Sequence, residues 1–317
     1  MKIGIIGVGY WGTKVAREYR DLMKKGEIDE VHIYDSLESN LKRFGEECPD
    51  CVIHSDFKEV LTSDIDGFHV CTPNSTHYDI AMELMSRGKH VLMEKPMAMT
   101  HKEARKLALF AYNNDLVLAV GHIFRFNNAV RKVKEIYENG DFGKIWYAQL
   151  TWSTLMPSPH GRDVVYDLAP HPIDILNYIT SMWPTQISAS GRAFRRESEE
   201  EVAYINMDFN GDFMARAEVS WLYPGKVRNV SIMGEKLFVS LEAVKQEINV
   251  YDIETEKWNN IPVSANNTIL DEATHFVTAI KNSETPINDG FNGSENIKVL
   301  EASVESMREK KIVHLEW

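Results

Sequence analysis

Residues 2–12 read Lys-Ile-Gly-Ile-Ile-Gly-Val-Gly-Tyr-Trp-Gly, an apolar run ending in three spaced glycines, Gly7, Gly9 and Gly12. The run Lys2–Gly7 predicts a buried strand. Trp11–Lys25, with Val15, Tyr19, Leu22 and Met23 on one face, predicts a helix. The pattern G-x-G-x-x-G therefore falls at a strand-to-helix turn, the context in which it has meaning. Gly7 permits the tight turn, Gly9 lets the backbone approach a pyrophosphate, and Gly12 lets helix pack closely on strand. The helix start, which carries Tyr10 and Trp11, offers its N–H groups and a partial positive charge to phosphates.

Working outward, Val31–Tyr34 is a second strand and Asp35 ends it, 23 residues after Gly12. An acidic side chain there accepts hydrogen bonds from the adenosine ribose hydroxyls and repels a 2′-phosphate. Ser36-Leu37-Glu38 supplies no adjacent cation, so NAD is expected rather than NADP. Further strands at Gly67–Cys71, His90–Met93 and Leu116–Val120 alternate with helices near Tyr78–Arg87 and Lys102–Asn113. Such alternation is the mark of a doubly wound parallel sheet, a Rossmann domain over residues 1–121. Three loops follow its strands on the edge where ligands bind: Thr72, Pro73, Asn74 and His77; Glu94 and Lys95; Gly121 and His122. Together they read as the wall of a nicotinamide pocket.

After Gly121 the texture changes. A helix at Asn128–Glu138 is followed by strand-like runs at Lys144–Thr154, Gln186–Phe194, Val202–Phe209, Met214–Trp221, Val227–Met233, Leu237–Leu241 and Glu247–Asp252. Strands in succession predict an α+β domain over 122–317 built on one large, mostly antiparallel sheet. Helices at Leu168–Thr180, Asp271–Lys281 and Glu295–Glu309 would cover it.

Composition excludes several classes. A formal net charge of −12 disfavours a nucleic-acid partner. No apolar run approaches the ~20 residues of a membrane span. The N-terminus lacks a signal-peptide pattern, and three cysteines are few and odd in number, so a reduced, cytoplasmic protein is expected. Cys48-Pro49-Asp50-Cys51 reads as a structural surface turn, because no second ligand pair completes a zinc site. No metal is expected. The acidic run Glu197–Glu201 reads as a solvated turn, and His32, His54, His69, His101 and His314 receive no function.

The ordered set GVGYWG (7–12), Asp35, CTPNSTHYD (71–79), GKHVLMEKP (88–96), GHIFRFN (121–127) and YDLAPHPID (166–174) resembles the Gfo/Idh/MocA family of oxidoreductases. The resemblance implies a nicotinamide cofactor, with Lys95 of the EKP motif beside nicotinamide and substrate, and Asp167 and His171 completing the active site. It implies that Asp174 supports the histidine or binds sugar hydroxyls. It also implies a sugar, polyol or nucleotide-sugar substrate, and a homodimer or homotetramer formed through the C-terminal sheet. The D-L-A-x-H form is similar to members acting on UDP-linked amino sugars, which makes a UDP-N-acetylhexosamine the leading substrate and inositol or a free sugar the alternative. The sequence departs from many relatives at Arg162-Asp163-Val164-Val165-Tyr166, where they carry small residues.

The residues make chemical sense of this assignment. Asp167 and His171, four apart on a predicted helix, share a face, and a carboxylate raises the basicity of a neighbouring imidazole. Oxidising a secondary alcohol removes a hydroxyl proton as hydride leaves. Either His171, with an ordinary pKa of ~6.5, takes that proton while Lys95 steadies the alkoxide, or a desolvated Lys95 takes it. Arg125 and Arg162 either grip a phosphate or carboxylate or form structural ion pairs. His160 is a candidate for the substrate mouth. A non-catalytic dinucleotide sensor of the same fold is the competing class, and the joint presence of Lys95, Asp167 and His171 argues against it.

Overall fold

The computed structural model describes residues 1–157, 163–195 and 199–317, and by their contacts they form two compact units. The first comprises Met1–Ile123 and Asn267–Ile297; the second comprises Phe124–Asn266 and Lys298–Trp317. A linear division at residue 121 leaves 267–297 with the second domain; the structure groups that segment with the first.

In chain order the first part contains β1 (Lys2–Ile6), α1 (Tyr10–Lys24), β2 (Glu30–Tyr34), α2 (Glu38–Glu47), β3 (Val52–His54), α3 (Phe57–Thr62), β4 (Gly67–Val70), α4 (His77–Met85), β5 (His90–Met93), α5 (His101–Asn113) and β6 (Leu118–Val120). Then come α6 (Asn128–Glu138), β7 (Ile145–Leu155), α7 (Val164–Leu168), α8 (Pro170–Thr180), β8 (Gln186–Arg192), β9 (Val202–Asp208), β10 (Met214–Ser220) and β11 (Leu222–Gly234). The chain ends with β12 (Leu237–Glu242), β13 (Glu247–Asp252), β14 (Lys257–Ile261), α9 (Thr268–Asn282), α10 (Gly290–Glu309) and β15 (Val313–His314).

The first unit holds a six-stranded, wholly parallel sheet in the order β3-β2-β1-β4-β5-β6. Its inner strands are apolar on both faces, as helix-covered parallel strands must be: Ile3, Ile5, Phe68, Val70, Val91 and Leu92 are fully buried. The strand order reverses between β1 and β4, which places a crevice beyond their carboxyl ends. Helix α9 joins this unit because Ala273, Phe276 and Val277 pack into the same cluster as Val15, Tyr19 and Phe44.

The second unit is built on a nine-stranded sheet, β14-β13-β12-β11-β7-β10-β9-β8-β15, antiparallel except for β7 with β10. Alternation along β7, β10 and β11 buries Ala148, Leu150, Ala215, Ala217, Val230 and Ile232 on one face.

Two expectations change. Cys48 and Cys51 are buried and disulfide-bonded, not a thiol pair on a surface turn, because Leu41 and Phe44 draw the end of α2 into the core and Cys48 follows. Glu201 is fully buried rather than solvated: its carboxylate accepts the N–H groups of Phe194 and Arg195 at 2.9 and 2.6 Å and pairs with the Arg195 guanidinium. Among the described residues no helix is long and apolar enough to cross a membrane.

Candidate active site

The first unit gathers its candidate residues at the carboxyl ends of β1, β2, β4, β5 and β6. Gly7 has φ +90°, and a Cβ there would sit 2.9 Å from the Cys71 carbonyl oxygen. At Gly12 a Cβ would lie only 1.8 Å from the Gly7 oxygen, so helix and strand approach as only glycine allows. Gly9 faces open space and begins α1 without a side-chain cap, while Tyr10 beside it is 82% exposed. Asp35 stands where the spacing put it. Its Oδ2 accepts the Val8 N–H at 2.8 Å and the Asn40 amide at 3.1 Å, and its Oδ1 accepts the Leu37 N–H at 2.8 Å. Arg43, on the second turn of α2, donates to the Val8 carbonyl at 2.8 Å. This cation at the phosphate loop lies beyond Ser36–Glu38, outside the stretch adjacent to Asp35, and only the turn of α2 brings it back.

Thr72 and Pro73 lead into a short 3-10 turn at Asn74–Thr76, and the Thr76 hydroxyl donates to Thr72 Oγ1 at 2.8 Å. His77 is fully buried, its ring nitrogens 2.9 Å from the Pro96 carbonyl and 2.8 Å from the Thr72 carbonyl. Its side chain is thus a brace between two loops rather than a surface for the cofactor. His122 is buried too.

Glu94 is likewise held by protein. Trp11 Nε1 donates to its Oε1 at 2.5 Å, and His69 Nε2 lies 3.2 Å from the same oxygen. Burial pushes this carboxyl up, but the hydrogen bond and charge of His69, the Trp11 indole and the Lys95 ammonium outweigh it. The net pKa lies below the ordinary value. His69, Cys71 and Glu94 bring an imidazole, a thiol and a carboxylate within 4.8 Å of one another. The Cys71 thiol is pushed well up by burial and by the two carboxylates Glu94 and Glu272. Lys95 is half-buried directly after Glu94, and its bond to Pro96 is cis. A cavity of about 560 Å³ lies at the opposite, amino ends of β5 and β6, lined by His90, Tyr112, Pro286 and Phe291. It contains none of these residues.

In the second unit Asp167 and His171 do not share one continuous helix. Asp163 caps α7 by accepting the Tyr166 N–H at 2.9 Å; Asp167 sits in α7, the helix breaks at Ala169, and His171 belongs to α8. The physical cause is Pro170 and Pro172, which lack the N–H groups a continuous helix requires. Asp167 Oδ2 accepts the indole N–H of the fully buried Trp221 at 3.0 Å. The His171 ring packs edge-on against Phe124 at 5.2 Å and tilted against Trp152 at 6.0 Å.

Arg228 enters this group from β11. Its guanidinium lies 5.3 Å from the Trp152 ring and donates to the Ser153 carbonyl at 2.8 Å. Burial lowers its pKa to about 10 against the attraction of Asp167 and Glu242. The available signal was a charged residue on an inward position of an alternating strand.

Arg125 and Asp174 are brought together, and in the interior. They are 4% and 1% exposed, Arg125 Nε and Nη2 approach Asp174 Oδ1 at 2.8 and 2.7 Å, and Nη2 also donates to Asn177 at 3.0 Å. Of the two readings left open for Arg125, the structure takes the ion pair. Arg162 and His160 lie outside the described residues.

Comparison with known proteins agrees with this architecture. Residues 1–122 match the family model described as an oxidoreductase family with an NAD-binding Rossmann fold, and residues 130–239 match the GFO/IDH/MocA C-terminal domain. A UDP-N-acetylglucosamine 3-dehydrogenase of Acidithiobacillus ferrooxidans is 26% identical over 254 residues, covering 79% of this chain and 77% of that protein. A myo-inositol 2-dehydrogenase of Thermotoga maritima is 23% identical and is covered along 99% of its length by the whole of this chain. The solved structure of the Acidithiobacillus enzyme superposes with a TM-score of 0.87 at 23% identity over 98% of each chain. An oxidoreductase of Agrobacterium radiobacter, solved in complex with NAD+, L-tartaric acid and magnesium, gives 0.87 at 17% identity over 99% of this chain and 98% of that one. The chain belongs to the Gfo/Idh/MocA family of oxidoreductases.

Proposed function

We propose that the chain is an NAD-dependent dehydrogenase that moves a hydride between a secondary hydroxyl of a sugar or nucleotide sugar and nicotinamide, with a UDP-N-acetylhexosamine as the leading substrate. The observation that carries the reading is the turn from β1 to α1: Gly9 faces open space, α1 begins uncapped, and Asp35 stands bonded to the Val8 N–H. These residues fit a dinucleotide. Gly9 and the first turn of α1 would hold the pyrophosphate, Asp35 the adenosine ribose, and Thr72, Pro73, Asn74 and Lys95 the nicotinamide end. The nicotinamide, when bound, supplies the hydride acceptor.

The chain's own residues manage the proton. His171 or Lys95 takes it from the substrate hydroxyl, and the other donates a hydrogen bond to the oxygen as charge develops. Asp167 supports the imidazole, with the Trp221 indole N–H fixing the carboxylate's direction.

The A. ferrooxidans relative and the Asp167-Leu168-Ala169-Pro170-His171 segment favour a UDP-linked amino sugar; the full-length match to the T. maritima relative favours an inositol as second reading. Purified chain with NAD and both classes, followed at 340 nm, separates them. Reduction with neither would overturn the substrate class.

For assembly, Met214, Tyr147, Met233, Phe238, Tyr251 and Trp258 stand in register across six strands of the nine-stranded sheet. Met214 and Trp258 are 60% and 58% exposed. Such an apolar row suits a second copy, and we place the dimer or tetramer contact on the 122–317 domain here. Light scattering at the mass of one protomer would refute it. The working compartment is proposed as the cytoplasm, where NAD is available.

A further inference from the structure

Glu94 is boxed in on every side the structure describes. Its Oε1 receives Trp11 at 2.5 Å and His69 at 3.2 Å, and its Oε2 accepts the Lys95 N–H at 3.3 Å. Gly121 closes the remaining side: a Cβ there would stand 2.9 Å from Oε2. His69 itself lies within β4 between Phe68 and Val70, where a strand covered on both faces ordinarily carries an aliphatic residue. It is 1% exposed, with Tyr19 edge-on at 5.8 Å. Its Nδ1 has no hydrogen-bond partner among the described residues, so the polar link of this ring runs to Glu94. An ionised carboxylate only accepts, so His69 carries its proton on Nε2 and donates it. A buried imidazole costs desolvation, and this one returns a charge-assisted hydrogen bond to a single carboxylate.

We infer that His69 is a positioning residue for hydride transfer. With Trp11 it clamps Glu94, and through the Glu94–Lys95 peptide and the Lys95 N–H it sets where the Lys95 ammonium stands. The phosphate loop, which supplies Trp11, is thereby tied to the lysine loop, which supplies Lys95. This inference rests on the functional reading above, since it is that reading which gives Lys95 chemical work. Displacing a catalytic group by about 1 Å costs on the order of a hundredfold in rate, so a clamp two residues removed from the reaction has a measurable effect.

The test compares His69→Leu with His69→Gln in the full chain, since the glutamine amide can donate to Glu94 and leucine cannot. The first readout needs no substrate: acetylation of Lys95 by a water-soluble succinimidyl ester, followed by mass spectrometry and normalised to the remaining lysines. A change of about threefold or more in the leucine variant, reversed in the glutamine variant, is expected. The second readout is turnover, where kcat falls by about 10–100-fold in His69→Leu with KM for NAD within about twofold, and recovers in His69→Gln. Should the wild type fail to reduce NAD with any of the alcohols, the functional reading fails while the labelling still decides the clamp. Should His69→Leu fail to fold, Trp11→Phe removes the other donor to the same oxygen and carries the same labelling expectation. Wild-type labelling of Lys95 in the leucine variant, or equal damage by leucine and glutamine, overturns the inference.

Discussion

Replacing Asp174 by alanine leaves the Arg125 guanidinium buried without the carboxylate that now lies 2.7–2.8 Å from two of its nitrogens. Both side chains are at least 95% buried, so bulk solvent does not screen the stranded charge, and a water in the vacated space would not neutralise it. Breaking a buried pair from one side costs about 3–5 kcal/mol, far more than an exposed pair contributes. Domains are stable by only about 5–15 kcal/mol, so the loss is a large fraction of the whole. At about 2–4 °C per kcal/mol for a unit of 150–250 residues, the second unit's melting point should fall by about 6–20 °C. Asn177 and Tyr178 soften the loss without cancelling it, since an amide oxygen and a ring face do not neutralise the charge. The assay is thermal denaturation of Asp174→Ala beside Arg125→Met/Asp174→Leu, in which no charge is stranded and most of the stability should return. A melting point for Asp174→Ala within about 2 °C of wild type, with a raised substrate KM, would refute the structural assignment and make Asp174 a sugar ligand.

Other expectations follow from the same geometry. Trp221→Phe keeps the buried ring but removes the N–H that Asp167 accepts at 3.0 Å, so kcat should fall about tenfold or more, as for a hydrogen bond to a charged group; unchanged steady-state kinetics would count against the role of Asp167. Asp35→Ser removes the carboxylate that repels a 2′-phosphate and leaves Arg43 in place, so the NAD-over-NADP ratio of kcat/KM should drop by about tenfold or more; a constant ratio would show that Asp35 does not select the cofactor. Glu94 has a folded pKa below its ordinary 4.5, so its ionised form stabilises the native state above pH 4.5, and that contribution is lost as pH falls through the folded value. Glu94→Gln should therefore melt well below wild type at pH 6 and approach it below pH 4.5; a constant gap would mean the carboxylate is not the ionised partner described.

What the sequence made legible was local. The β1 run, the glycine turn, α1 and the strand-end Asp35 form one short pattern whose residues determine each other's geometry, and they stand as read. The nine-stranded sheet was visible through its alternation, although β14 and the two-residue β15 carry too little pattern to register. Strand β3 is hidden for a related reason: with Val52 and Ile53 around 40% exposed, three residues carry no apolar periodicity. The rest is non-local. Arg125 and Asp174 meet across 49 positions, Trp221 and Asp167 across 54, and His69 and Glu94 across 25, so no spacing rule links them. The break at Ala169 was the exception. Pro170 and Pro172 are local in the sequence, and their missing N–H groups override the i, i+4 spacing of Asp167 and His171.

In the proposed reaction a hydride passes from an alcohol to NAD while Lys95, Asp167 and His171 manage the hydroxyl proton. Its most direct measurement is absorbance at 340 nm for wild type, Lys95→Ala and His171→Ala, each with NAD and UDP-N-acetylglucosamine, related UDP-amino sugars or inositols. The account predicts NADH formation by the wild type with at least one of them and a loss of about a hundredfold or more in either variant. Equal rates in all three proteins would contradict it.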